Sequence, residues 1–124
     1  MKTSEAVDAL AALAQQTRLD IFRLLVRHVP AGLAAGAIAR RLRLPSPTLS
    51  FHLNVLAAAG LLQYRKKGRS ITYSADLQTV YRLTDFLMEN CCGGRGVCAS
   101  PGERAQTAQK PSAGRAQPAR RSRR

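Results

Sequence analysis

The chain has 124 residues, no Trp, three Phe, three Tyr and 45% hydrophobic residues, many of them Leu and Ala, a mixture that suits one small, mainly α domain and disfavours a β-sandwich. No stretch approaches the roughly 18 consecutive apolar residues of a membrane span, and MKTSEAVDALAALAQQ lacks the apolar centre of a signal peptide, so a cytoplasmic protein with no membrane partner is expected. The formal charge is +13 and residues 21–75 contain no Asp or Glu, which points to a polyanionic partner.

After Ser4, Val7, Leu10, Ala11 and Ala14 recur at helical spacing, and a second stripe of Leu19, Phe22, Leu25 and Val26 follows Thr17, so two helices open the chain. HVPAGLAAG breaks the periodicity with Pro30, Gly32 and Gly36, and Ile38, Ala39 and Leu42 then form a short helix ending near Arg43. The next helix is expected to take Ser46 as its N-cap and Pro47 as its first helical residue, running through Leu49, Leu53 and Leu56 to Gly60. Two short helices joined this tightly are a helix-turn-helix. With its three leucines inward, the second helix turns Pro47, Ser50, Phe51 and Asn54 outward and Thr48 to the flank, where they can reach base edges.

Beyond Gly60, Leu61 to Arg65 and Ser70 to Ser74 are β-prone around Lys67-Gly68, which predicts a hairpin with Arg65, Lys66, Lys67 and Arg69 at its tip. Alone, a basic hairpin is usually a solvated turn; directly after a helix-turn-helix it reads as a wing that grips phosphates. DLQTVYRLTDFLMEN, with Leu77, Val80, Tyr81, Leu83, Thr84, Leu87 and Met88, predicts a last helix capped by Asp76 and broken at Gly93-Gly94. The first and last helices carry more apolar surface than so small a core needs, and part of it is assigned to a homodimer interface; the alternative is that both close the monomer core.

Residues 1–98 are read as one domain. From Ala99 the chain is rich in Pro, Ala, Gln and Arg without large aliphatic residues, so 99–124 is expected to be a disordered basic tail that either adds nonspecific DNA affinity or only solubilises.

All three cysteines, Cys91, Cys92 and Cys98, lie in ENCCGGRGVCAS. In a reducing compartment an odd, crowded set is a ligand set or a redox element rather than a disulfide framework. Adjacent residues on a regular helix project about 100° apart, so Cys91 and Cys92 converge only where the helix ends, and Gly93, Gly94 and Gly96 supply the backbone freedom for that. The thiols sit on a glycine-rich stretch with no phosphate loop and no partnered base, which argues against an enzyme.

LAQQTRLDIFRLLV, LPSPTLSFHLNVLAAAGLL and YRKKGRSITYS, in this order, resemble the ArsR/SmtB family of metal-responsive winged-helix repressors over roughly Val7 to Cys98. The resemblance implies a winged helix-turn-helix homodimer that binds double-stranded operator DNA and leaves it when a metal or metalloid binds. It places Ser46, Thr48, Ser50 and His52 on the recognition helix and Lys66, Lys67 and Arg69 on the wing, to which the residue pattern adds Phe51, Asn54 and Arg65. His52, near the apolar edge of its helix, is open to two readings: a DNA contact, or an internal group that orients the helix.

Two of the family's inducer sites are missing. The Cys-x-Cys element of the founding arsenic and cadmium sensors is replaced by Ala37-Ile38-Ala39-Arg40, and no His lies between Leu77 and Asn90 where zinc sensors place ligands. Cys91, Cys92 and Cys98 resemble a subgroup whose three cysteines follow the last helix and respond to As(III). Three thiolates satisfy As(III), or Sb(III), whereas zinc would still want a fourth ligand. Copper(I), cadmium and lead also accept thiolate-rich sites, and an oxidation switch remains the alternative use of the same thiols.

Overall fold

Leu49, Leu53 and Leu56 are fully buried with Ile21, Leu25, Ile38 and Leu61, and this apolar centre organises a computed structural model that describes residues 1–94. Cys98 and the expected tail at 99–124 lie outside the described residues. The elements are α1 (Thr3–Leu13), α2 (Gln16–Val26), β1 (Leu33–Ala34), α3 (Ala35–Leu42), α4 (Ser46–Ala58), β2 (Leu62–Lys67), β3 (Ser70–Ala75) and α5 (Leu77–Met88), followed by a 3₁₀ turn at Cys91–Gly94. The chain divides after Leu83 into two compact units, and α5 runs across the division. No helix among the described residues is long and apolar enough to cross a membrane.

The first helix buries its small residues rather than its larger apolar ones, and the second buries only part of the expected stripe. In α1 the buried residues are Ala6, Ala9 and Ala12, while Val7 and Leu10 are 57% and 43% exposed. Small side chains let α1 lie close against α2 and α4, which leaves its larger ones outside. In α2, Ile21, Phe22, Leu24 and Leu25 are buried and Leu19 and Val26 are exposed, because this helix packs against β3 as well as α1 and α4.

α3 and α4 form the helix-turn-helix. Arg43 ends α3 in the left-handed region (φ 56), and the Leu44 N–H donates to Ala39 O at 3.0 Å, a tight stop that brings the next helix on within three residues. Pro45, extended at φ −61 and ψ 144, occupies the cap position of α4; Ser46 is therefore its first residue rather than its N-cap, and no side chain caps this end. Gly60 closes α4 with φ +80, its N–H donating to Ala57 O and the Leu61 N–H to Leu56 O, both at 3.0 Å, the bond pattern of a Schellman end.

The hairpin forms as expected, with Lys67 paired to Ser70 across Gly68 and Arg69. It belongs to a larger sheet. β1 pairs antiparallel with the other side of β3, Leu33 opposite Tyr73 and Ala34 opposite Thr72, giving the order β1-β3-β2. Two residues are too few to leave an alternating pattern, so HVPAGLAAG read as a simple interruption.

Asp76 caps α5 as expected, its Oδ1 accepting from the backbone N–H groups of Gln78 (3.1 Å) and Thr79 (3.4 Å). The helix stops at Met88, before the glycines, because Asn90 takes the left-handed conformation (φ 60). At the other end of the chain the Lys2 backbone N–H donates to Glu5 at 2.7 Å and holds its carboxyl below the ordinary value, with Arg82 at 3.9 Å acting in the same direction. This tether is present above the ordinary carboxylate pKa and is lost as pH falls through the lowered one.

Gly32 has φ +77, and a Cβ there would strike the carbonyl of Tyr73, whereas Gly68 has φ +62 with open space around it. Gly68→Ala is therefore expected to lose about 1–2 kcal/mol, the left-handed penalty alone. Gly32→Ala should lose clearly more, because β1 must also move off β3. Urea unfolding of the two variants checks the order, and equal losses would mean that β1 contributes little.

Candidate nucleic-acid interface

The outer face of α4 is set by what its inner edge buries. With Leu49, Leu53 and Leu56 inside, Ser46, Thr48, Ser50, Phe51 and Asn54 are exposed. His52 is the exception among the residues placed on this helix by sequence. It is only 8% exposed, and its Nδ1 lies 3.4 Å from Arg18 Nη1. Guanidinium only donates, so in this contact Nδ1 is the acceptor. Arg18 also donates from Nε to Ala12 O at 2.7 Å, tying the end of α1 to the middle of α4. Of the two readings left open for His52, the burial selects the internal one, and the residue leaves the set of DNA-facing side chains.

Arg65, Lys66 and Lys67 on β2 and Arg69 in the turn are all exposed. Because side chains alternate along a strand, Arg65 and Lys67 share one face and Lys66 shares the other with Tyr64. Tyr64 is 65% exposed and pairs across the hairpin with Tyr73, ring centroids 6.1 Å apart. These two rings and Ile71 form one wall of a cleft of about 440 Å³ whose other wall is Asn54, Ala57 and Ala58 of α4. The groove between recognition helix and wing is thus lined by tyrosines, flanked by cations, and lies in a stretch of 55 residues without a carboxylate. Such a surface attracts phosphates and offers hydroxyl and amide groups for base and backbone contacts.

Sequence reasoning missed Arg18 as the partner that holds His52 inside, and the tyrosine pair as part of the groove. Nothing local marks Arg18, whose partner is 34 residues away. The tyrosine pair was in principle legible: once the loop is placed at Gly68-Arg69 rather than Lys67-Gly68, counting outward puts Tyr64 opposite Tyr73.

Residues 13–65 match the sequence model of a helix-turn-helix domain family. An uncharacterized HTH-type transcriptional regulator of Methanocaldococcus jannaschii is 36% identical over 89 residues, covering 69% of this chain and 98% of the relative. The transcriptional activator HlyU of Vibrio cholerae is 30% identical over 90 residues, 73% of this chain and 81% of HlyU. An ArsR-like transcriptional regulator from Rhodococcus sp. RHA1 superposes with a TM-score of 0.63 at 28% identity, covering 85% of this chain and 89% of that one. The chain belongs to the ArsR family of winged helix-turn-helix transcriptional regulators. These similar proteins are regulators of transcription and not enzymes, and the matched helix-turn-helix residues 13–65 include α3 and α4.

At the far end of the described chain, Cys91 is half-buried and Cys92 exposed, with their Sγ atoms 3.7 Å apart. Cys92 reaches that position by taking φ 58, so a left-handed cysteine, with Gly93 at φ 70 after it, does the work expected of the glycines alone. Among the described residues no group of three or more His, Cys, Asp or Glu side chains is placed to hold a metal ion. The third member of the expected set, Cys98, lies outside them.

Two outcomes separate the roles of the surface. Lys67→Gln is expected to weaken binding to all duplexes alike and to lower the salt-dependence slope by about 0.9, one phosphate contact, in anisotropy titrations at several salt concentrations. His52→Ala is expected to lower stability by about 1–3 kcal/mol by emptying its site and leaving Arg18 without that acceptor, while Ser50→Ala stays within about 0.5 kcal/mol of the parent; thermal melts of both distinguish the inner from the outer side of α4.

Proposed function

We propose that this ArsR-family regulator is a cytoplasmic repressor that binds operator DNA as a homodimer and is released when As(III), or Sb(III), takes Cys91, Cys92 and Cys98 as three thiolate ligands. The observation that carries the inducer part is the 3.7 Å between Cys91 and Cys92 Sγ. Two thiolates that share a zinc-like ion at about 2.3 Å each, with a near-tetrahedral angle, lie about 3.7 Å apart, so this pair is close enough to share one thiophilic ion, whichever it is. Three sulfurs neutralise a 3+ ion whose lone pair fills the remaining direction, which favours As(III) over zinc for a set of this size. Ligand binding displaces thiol protons.

The dimer is supported by apolar side chains left in water. Val7 and Leu10 on α1, and Tyr81, Leu87 and Met88 on α5, are large and exposed in the single chain, and burying them against a second copy removes that surface from water. Two recognition helices then address half-sites about one helical turn apart, a spacing that metalloid-driven rearrangement of the dimer would spoil.

A second reading keeps the fold and changes the stimulus. Vicinal thiols already within 3.7 Å and next to a third cysteine in sequence also suit oxidation to a disulfide, with loss or gain of DNA binding as the output.

The deciding experiment is fluorescence anisotropy of the reduced full-length protein on its own promoter fragment at fixed salt, titrated with arsenite beside zinc and peroxide. The expected result is release near one arsenite per subunit, lost in Cys92→Ser. Retention of the complex under arsenite with release under peroxide would establish the oxidation reading, and a rise in transcription from the bound promoter would reverse the assigned sign of regulation.

A further inference from the structure

Phe51 is the large apolar side chain on a face otherwise built from Ser46, Thr48, Ser50 and Asn54, and it is 60% exposed. Its ring is not loose. It rests edge-on against His52, centroids 5.5 Å apart and planes at 62°, and His52 is in turn buried and linked to Arg18. A phenylalanine so held adds little to the core, yet it projects from the middle of the helix that the winged fold presents to the major groove.

The edges of base pairs in that groove are hydrogen-bond donors and acceptors with one exception, the C5 methyl group of thymine. Phe51 has no side-chain hydrogen-bonding atom. Opposite guanine, cytosine or adenine it would desolvate polar edges without replacing their bonds with water, whereas opposite thymine it removes two apolar surfaces from water together. Asn54 shares the face three residues on, a separation of about 4.5 Å along the helix axis. Asparagine is the residue type that pairs in bidentate fashion with adenine N6 and N7, and one base step is about 3.4 Å. We infer that Phe51 specifies a thymine in each operator half-site by covering its methyl group, with an adenine one or two steps away read by Asn54. This rests on the proposed role of α4 as the operator-reading helix.

The test starts from duplexes selected out of a random pool by the reduced full-length protein. In the selected site each thymine is replaced in turn by uracil, which deletes the methyl group and leaves Watson–Crick pairing intact, and affinities are read by anisotropy. The expected result is one position per half-site at which uracil weakens binding about fourfold, the value of one methyl-sized group returned to water. At that position a 5-methylcytosine·guanine pair should bind better than cytosine·guanine. In Phe51→Ala both methyl effects should shrink to within about 1.5-fold while the effects of changing the adenine persist.

Uniform tolerance of uracil, or a methyl effect that survives in Phe51→Ala, would overturn the inference while leaving sequence-specific DNA binding in place. A pool that yields no preferred sequence would overturn it together with the operator-binding proposal. Because each methyl effect is a ratio of two affinities of the same protein, it stays readable even where Phe51→Ala alters overall affinity.

Discussion

Burial of Leu49, Leu53 and Leu56 decides which atoms of α4 remain on the surface. A helix with one apolar edge has no rotational freedom once that edge is packed: a turn of one residue, about 100°, would expose leucine and bury Asn54 without a partner. The lock is reinforced by polar chemistry. Arg18 donates both to the last turn of α1 and to His52, so the rotation of α4 is coupled to the position of α1 through two hydrogen bonds rather than through packing alone. An imidazole held this way also supplies the surface against which Phe51 stands.

A second set of bonds fixes where the wing leaves α4. The Leu61 carbonyl accepts from the Asp76 N–H at 2.9 Å, Thr79 Oγ1 donates to Gly60 O at 2.7 Å, and Gln63 Nε2 donates to Asp76 Oδ2 at 3.2 Å. The residues before the wing and those after it are thereby joined. β1 supports β3 from the other side, with Gly32 allowing the close approach to Tyr73. A hairpin alone is marginal in water; anchored at its base and flanked by a third strand, this one can carry four cations at its tip without carboxylates to pair them.

The cysteine segment uses backbone geometry for a different end. Left-handed conformations at Asn90, Cys92 and Gly93 in quick succession stop α5 and bring two sequence-adjacent thiols to 3.7 Å, a convergence that a continuing helix forbids. Two of those three residues are not glycine; asparagine takes the left-handed region readily, whereas Cys92 is held there at about 1–2 kcal/mol.

Much of this molecule was legible in one dimension. The leucine spacing of α4, the tight link after Arg43, the basic tip around Gly68 and the Asp76 cap are each signalled by residues within one or two turns of each other, and local interactions suffice to read them. The features that were misread depend on distant partners. Whether Val7 or Ala6 faces inward on α1 and whether Ile21 or Leu19 does on α2 depend on which surfaces other helices present and how closely they approach, and the same contacts settle the side of His52, which the sequence left open. A two-residue strand at Leu33–Ala34 exists only because β3 offers an open edge to it. The sequence by itself thus determined the elements, their order and the basic character of the surface, because periodicity, capping and charge are local. The tertiary structure decided the rotation of each helix about its axis and the third strand, because these are set by contacts between residues far apart in the chain.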